Sequence, residues 1–268
     1  MTGEGTERVA VITGAARGIG RATASMLASS GWKLVLVDRC ADDPILGYPL
    51  ARPDDLDATV AACGGPERAV GAVADVRDQD ALDRAVQTAV DRFGGVDAAV
   101  AVAGAIAGGA EAWNTPDEVW AAMLSINLEG TWRLARAAVP ALLERPQPRE
   151  GRFVAVASAG GSVGLYLLSA YTAAKHGVVG FVRSLAAELA PHGITANAVA
   201  PGSTEGAMLD ASAAVYGLHD ADEFATHHML LRLLSPEEPA SLITWLCGPH
   251  SSGITGALLP VDAGMTAR

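Results

Sequence analysis

Tyr171 and Lys175 stand four residues apart, a spacing that puts two side chains on one helix face, one turn from each other. An ammonium beside a phenol stabilises the phenolate. The pair therefore predicts a Tyr171 pKa below its ordinary value and a group able to take and return a proton near neutral pH. Ser158 closes the apolar run Phe153 to Ala157, which reads as a buried strand. Its hydroxyl is thereby set at a strand's carboxyl end, where it can orient a substrate oxygen. Tyr-x-x-x-Lys also occurs on helices that do no chemistry, so the surrounding elements have to decide.

The run Val9 to Ile12 reads as a buried strand and leads into Thr13-Gly14-Ala15-Ala16-Arg17-Gly18-Ile19-Gly20, followed by a helical pattern that stops near Gly31. A Gly-rich turn between a strand and a helix is a diphosphate site: Gly14 allows the sharp turn, Gly18 the close approach of backbone N–H groups, and Gly20 close packing of the helix. The helix N-terminus supplies partial positive charge. The spacing has one residue more than the usual dinucleotide fingerprint. Lys33 to Val37 is a second strand ending in Asp38, whose carboxylate can bind both ribose hydroxyls of an adenosine and repel the extra phosphate of NADP. A capping or loop aspartate is the other reading of Asp38. Arg17 and Arg39 pull the other way, since either can pair with a phosphate.

The alternation continues. Leu56 to Ala62 reads as a helix, and Ala69 to Ala74 as a strand running into Asp75-Val76, a pair suited to an adenine ring. Ala81 to Phe93 is a helix. Val96 to Val102 is a strand ending in Ala103-Gly104, small residues where a cofactor backbone can pass. Pro116 to Leu143 reads as one long helix with Asn127 inside it, a poor interior residue that suggests a kink or a bound water. Then come strand Phe153 to Ser158, helix Ala170 to Leu189, strand Ile194 to Val199 with the turn Pro201-Gly202, helix Pro236 to Leu246 and strand Ala257 to Val261. Seven strands alternating with helices predict an α/β fold: a Rossmann-type, doubly wound, seven-stranded parallel sheet with helices on both faces. No linker divides the chain, so residues 1–268 read as one domain. It carries an insertion at about 40–56, too long for an ordinary βα connection, and a helical lid at about 203–234.

A formal net charge of −11 argues against nucleic acid and against anionic membranes as partners. Cys40, Cys63 and Cys247 form no Cys-x-x-Cys pair, which fits a reducing, cytoplasmic location. Met1 to Arg8 has no apolar run and is not read as a signal peptide. No metal site is expected: His227 and His228 would diverge on a helix, His176 would turn away from Lys175, and surface or packing roles suit all six histidines.

Taken together, the segments Thr13 to Gly20, Asp75-Val76, Ala103-Gly104, Asn127, Ser158, Tyr171-x-x-x-Lys175 and Pro201-Gly202 resemble those of the short-chain dehydrogenases/reductases in order and spacing, along nearly the whole chain. The resemblance implies a catalytic tetrad of Ser158, Tyr171, Lys175 and Asn127. It also implies NAD bound by Gly14, Arg17, Gly18, Ile19, Gly20, Asp38, Arg39, Asp75, Val76, Ala103, Gly104, Tyr171, Lys175, Pro201, Gly202, Ser203 and Thr204. In that family Asn127 would hold a water linking Lys175 to solvent. Two departures stand out. Ala101-Val102-Ala103-Gly104 replaces the usual Asn-Asn-Ala-Gly, and Gly206 replaces a Thr, leaving contacts to the nicotinamide amide to Ser203, Thr204 or backbone.

The insertion, with Asp38 to Pro44 and Tyr48 to Ala51, resembles the subfamily coupled to the redox carrier mycofactocin, in which NAD stays bound between turnovers. The reaction implied is hydride transfer between NAD and an alcohol/carbonyl pair, secondary or hydrophobic, in a homotetramer. Leu165, Tyr166, Leu167, Leu168, Met208, Leu209, Phe224, Met229 and Leu230 are the candidate pocket residues. An NADP-linked carbonyl reductase with exchangeable cofactor and a non-enzymatic dinucleotide sensor are the alternatives.

Overall fold

The computed structural model describes residues 7–267, so the reading of Met1 to Arg8 falls mostly outside the described residues. Seven strands form one sheet: β1 (Val9–Thr13), β2 (Lys33–Asp38), β3 (Ala69–Val73), β4 (Ala98–Ala101), β5 (Arg152–Val156), β6 (Thr195–Pro201) and β7 (Leu258–Val261). All pairings are parallel, in the order β3-β2-β1-β4-β5-β6-β7. Strand order reverses between β1 and β4, and at such a switch point the diverging connections leave a crevice at the strands' carboxyl ends.

The strands are apolar on both faces because both faces are covered. Val9 and Val11 of β1 pack into one core, Ala10 and Ile12 into the other, and Phe153 and Val154 of β5 divide in the same way. The first core is closed by α3 (Gln79–Phe93), α5 (Gly130–Glu144) and α6 (Ser169–Leu189), the second by α1 (Gly18–Ser29), α2 (Pro53–Ala62) and α8 (Glu237–Cys247). On α6, Val178, Val182, Leu185 and Leu189 recur at helical spacing and are buried. Each fully buried Val or Leu contributes roughly 1.5–3 kcal/mol. α3 begins at Asp78, whose side chain accepts the Ala81 N–H, and ends at Gly94 in the left-handed region (φ 82°). That is the expected pairing of an acidic cap and a terminal glycine.

Three expectations need correction. The helix read over Pro116 to Leu143 is α4 (Asp117–Met123), a π-helical turn (Leu124–Glu129) and α5. Asn127 lies inside that turn, so the irregularity has a definite form, a π-helical widening of the backbone. The insertion is shorter than read: irregular backbone follows β2 and α2 already begins at Pro53, where a proline suits the first helical position. Finally, 203–234 is only partly α-helical. It holds α7 (Ala207–Tyr216) and a 3-10 stretch (Ala221–His227), with irregular backbone elsewhere, because Gly206 and Gly217, both at positive φ, bracket α7. Among the described residues no helix is long and apolar enough to cross a membrane. Cys40, Cys63 and Cys247 are free and buried.

Candidate active site

A cavity of about 650 Å³ occupies the crevice. Every residue nominated above for cofactor or catalysis lines it except Asn127, which is fully buried behind the wall.

At one end stands the Gly-rich turn. Gly20 is forced to be glycine by close approach: a Cβ there would lie 2.0 Å from the Gly14 carbonyl oxygen. Packing is thus tight against the turn itself rather than the sheet. α1 starts at Gly18 with no side-chain cap and no acid in its first turn, so its N-terminal amides and their partial positive charge face the cavity. Asp38 ends β2. Its Oδ2 accepts the Ala16 N–H at 3.1 Å and its Oδ1 the Cys40 N–H at 3.3 Å, tying the carboxylate to the turn. Asp75 also lines the wall, but its carboxylate is engaged by Arg77 and Arg39.

At the other end α6 presents Tyr171 and Lys175, both buried, with the Lys175 Nζ 5.7 Å from the Tyr171 ring centroid. Lys175 Nζ donates to the Val156 carbonyl at 2.9 Å. Burial lowers its pKa to about 8, because an ammonium without water is poorly solvated. The expected fall in the Tyr171 pKa does not occur in the protein alone. Burial pushes the phenol up to about 12, against a hydrogen bond with the Ser158 side chain that works in the opposite direction. Ser158 Oγ also accepts the Gly160 N–H at 3.1 Å. Desolvation is larger here than the neighbouring-charge effect that the spacing suggested.

Asn127 Nδ2 donates to the carbonyls of Ala105 and Met123, each at 3.0 Å, and Oδ1 accepts the Ala105 N–H at 3.2 Å. The π-turn thereby staples α4 to the loop after β4. A Cβ on Gly104 would lie 2.9 Å from Asn127 Oδ1 and 3.3 Å from Lys175 Nζ. Gly104→Ala is therefore expected to displace both groups and reduce turnover by roughly 10-fold, within the range for a misplaced catalytic group. Steady-state kinetics with an unchanged melting temperature would check this.

Several contacts at and behind the wall escaped sequence reading. Tyr48, from the insertion, crosses to the post-β4 loop, where its hydroxyl oxygen accepts the Ile106 N–H at 3.1 Å. Tyr216 of α7 donates from its hydroxyl to the Tyr166 carbonyl at 2.7 Å. His227 is exposed at the rim of the cavity and packs edge-on against the Phe224 ring, with ring centroids 5.7 Å apart. His228 is fully buried and its Nε2 accepts the Ser203 N–H at 3.1 Å, bracing the turn after β6. Neither histidine sits on an α-helix: His227 ends the 3-10 stretch. Leu165, Tyr166, Leu168, Met208, Leu209 and Phe224 line the cavity, whereas Leu167, Met229 and Leu230 do not. Met229 and Leu230 are largely exposed.

Residues 14–266 match the family model described as Enoyl-(Acyl carrier protein) reductase. The (-)-trans-carveol dehydrogenase of Rhodococcus erythropolis is 37% identical over 97% of this chain and 98% of its own length. The crystal structure of carveol dehydrogenase from Mycobacterium avium in complex with NAD superimposes with a TM-score of 0.89 at 34% identity, covering 100% of both chains. That of a short-chain dehydrogenase from Mycobacterium paratuberculosis bound to NAD gives 0.88 at 35%, covering 98% and 99%. The chain belongs to the short-chain dehydrogenase/reductase family. It is an oxidoreductase built on that family's fold.

Proposed function

We propose that this protein is an NAD-dependent alcohol dehydrogenase or carbonyl reductase whose general acid/base is Tyr171. The observation that carries the reading is that Ser158, Tyr171 and Lys175 converge at one end of a single cavity whose other end is the amide-lined Gly-rich turn with Asp38 beside it. The residues fit the cofactor: the turn leaves open space at Gly18, where a Cβ would meet nothing within 4 Å, beside the N-terminal amides of α1, and Asp38 suits a ribose diol. NAD supplies the hydride acceptor or donor.

The chain's own part is placement and proton handling. Ser158 donates to the substrate oxygen and fixes it. Tyr171 takes the alcohol proton or returns it. Lys175 adds positive charge beside the phenol and binds the nicotinamide ribose, and Asn127 orders a water through which Lys175 reaches solvent. Ser203, Thr204 or the backbone beside them would hold the nicotinamide amide. The substrate is a hydrophobic or secondary alcohol, as the apolar side chains Leu165, Leu168, Met208, Leu209 and Phe224 on the wall suggest.

The insertion crosses the cavity as a strap: Leu46, Tyr48 and Leu50 line it, and Arg17 donates to the Pro49 carbonyl at 3.0 Å. This supports an NAD retained between turnovers and reoxidised by an external carrier of the mycofactocin kind. Trp120 and Trp132 are 42% and 41% exposed, which suits burial between subunits of a homotetramer. The cytoplasm is the proposed location.

The test is gel filtration of the purified protein, denaturation, and assay of the released nucleotide, then an alcohol screen with an artificial electron acceptor. NAD in the supernatant and turnover of hydrophobic alcohols are expected. A protein that keeps no dinucleotide and reduces no acceptor would refute the reading.

A further inference from the structure

Two guanidinium groups, those of Arg39 and Arg77, line the adenosine end of the cavity. A guanidinium in that region is the group that recognises an adenosine 2′-phosphate, bidentately where it has the freedom to turn. Here neither has that freedom. Behind them, off the cavity wall, the insertion supplies Asp43, whose side chain is 2% exposed. Its Oδ2 accepts Arg39 Nη1 at 2.5 Å and Arg77 Nη2 at 2.8 Å, and its Oδ1 accepts the Ile45 N–H at 3.0 Å. Asp75 closes the set, with its Oδ2 3.2 Å from Arg39 Nε and 2.6 Å from Arg77 Nη2. Two cations and two anions cancel, and the remaining pair at this end is Asp38 and Arg17, whose guanidinium is turned to the Pro49 carbonyl at 3.0 Å.

We propose that Asp43 is a specificity-determining residue, holding Arg39 out of reach of a 2′-phosphate and so setting the preference for NAD over NADP. The inference rests on the dinucleotide reading above and names the residue that tunes it. The two arginines respond differently to loss of Asp43. Arg77 keeps a double hold on Asp75, with Nε 3.0 Å from Oδ1 and Nη2 2.6 Å from Oδ2. Arg39 keeps a single contact through Nε, and its terminal nitrogens are released. A half-buried cation that has lost its partner is costly to leave unpaired, and the 2′-phosphate of NADP is a dianion within its region of the wall.

The experiment clears the full-length protein of bound nucleotide, equilibrates it with equal concentrations of NAD and NADP, separates bound from free by ultrafiltration at equilibrium, and measures the ratio of the two nucleotides held. Asp43→Asn is expected to raise the NADP:NAD ratio at least ~10-fold, the scale of a charge-assisted phosphate contact. Asp43→Asn/Arg39→Gln is expected to restore the wild-type ratio. Arg39→Gln alone is expected not to lower the NADP:NAD ratio, since its charge is already taken up by Asp43 and Asp75; this arm is still read if Asp43→Asn fails to fold. An Asp43→Asn protein that holds NAD at the wild-type ratio overturns the proposal, as does a gain that survives removal of Arg39. A ratio that falls in Arg39→Gln alone also overturns it. Wild-type protein that retains neither nucleotide instead overturns the dinucleotide reading, and this inference with it.

Discussion

Replacing Tyr171 with Phe is expected to cut turnover by at least ~100-fold, the usual scale for removing a general acid/base, while the protein still retains NAD. The reason is local. Phe fills the same space on α6, so the buried face of the helix is preserved, and only one hydroxyl is lost. That hydroxyl is the one toward which Ser158 hydrogen-bonds. Because burial holds the phenol at about 12, the protein alone does not generate a phenolate at neutral pH. The remaining shift has to come from positive charge brought by oxidised NAD and from Lys175. Wild-type alcohol oxidation should therefore rise with pH, and the variant should lose this rise along with its rate. Pre-steady-state and steady-state rates across pH, read beside nucleotide content, make the check. A loss of less than tenfold would remove Tyr171 from its proposed role.

Lys175→Met carries the second large effect, in two opposite directions. Turnover should fall by ~100-fold or more as the charge beside the phenol disappears. Stability should rise at neutral pH. The folded pKa of Lys175 is about 8 against an ordinary 10.5, so below pH 8 both states hold the proton and the folded state bears the full desolvation cost, about 3 kcal/mol. Between pH 8 and 10.5 only the unfolded chain binds the proton, and stability climbs as pH increases; as pH falls back through 8 that gain is lost. The variant removes the cost but also the hydrogen bond to the Val156 carbonyl, worth about 1 kcal/mol. A net gain of about 2 kcal/mol at pH 7 is expected, with no climb from pH 8 to 10. Urea unfolding at several pH values tests it, and a variant less stable than wild type at pH 7 would show that Lys175 is not held in strain. Tyr171, with its folded pKa raised from 10.0 to about 12, acts in the opposite sense above pH 10, where stability declines.

The sheet and the dinucleotide end were largely readable because their signals are local. Val9 to Ile12, the Gly-rich turn and the start of α1 are contiguous, and both faces of β1 are buried, so an unbroken apolar run was the right signature. Short motifs likewise flagged Ser158, Tyr171 and Lys175, which the fold brings to one end of the cavity. What was misread depends on distance in sequence or on burial. Tyr48 meets Ile106 across 58 residues, and no periodicity announces that. Asp43 sits beside Asp42 in a polar loop, yet Asp42 is half exposed and Asp43 lies under two arginines. The Tyr171 pKa was judged from a neighbouring charge, whereas its desolvation exists only once α6 has docked. Residues 203–234 read as helical because Ala and Met are frequent there, but Gly206 and Gly217 outweigh that propensity.

The π-helical turn around Asn127 sets a limit on how this scaffold can be hardened. An α-helix advances 100° per residue, so excising one position from Leu124–Glu129 to regularise the hydrogen bonding would rotate either α4 or α5 out of register with its apolar neighbours. The irregular turn is the joint that lets two well-packed cylinders meet while one amide points sideways into the loop after β4. Stiffening substitutions that raise heat tolerance in ordinary helices would here be in conflict with the alignment of that amide, and the safer places to add rigidity lie in α3 and α8, away from the joint.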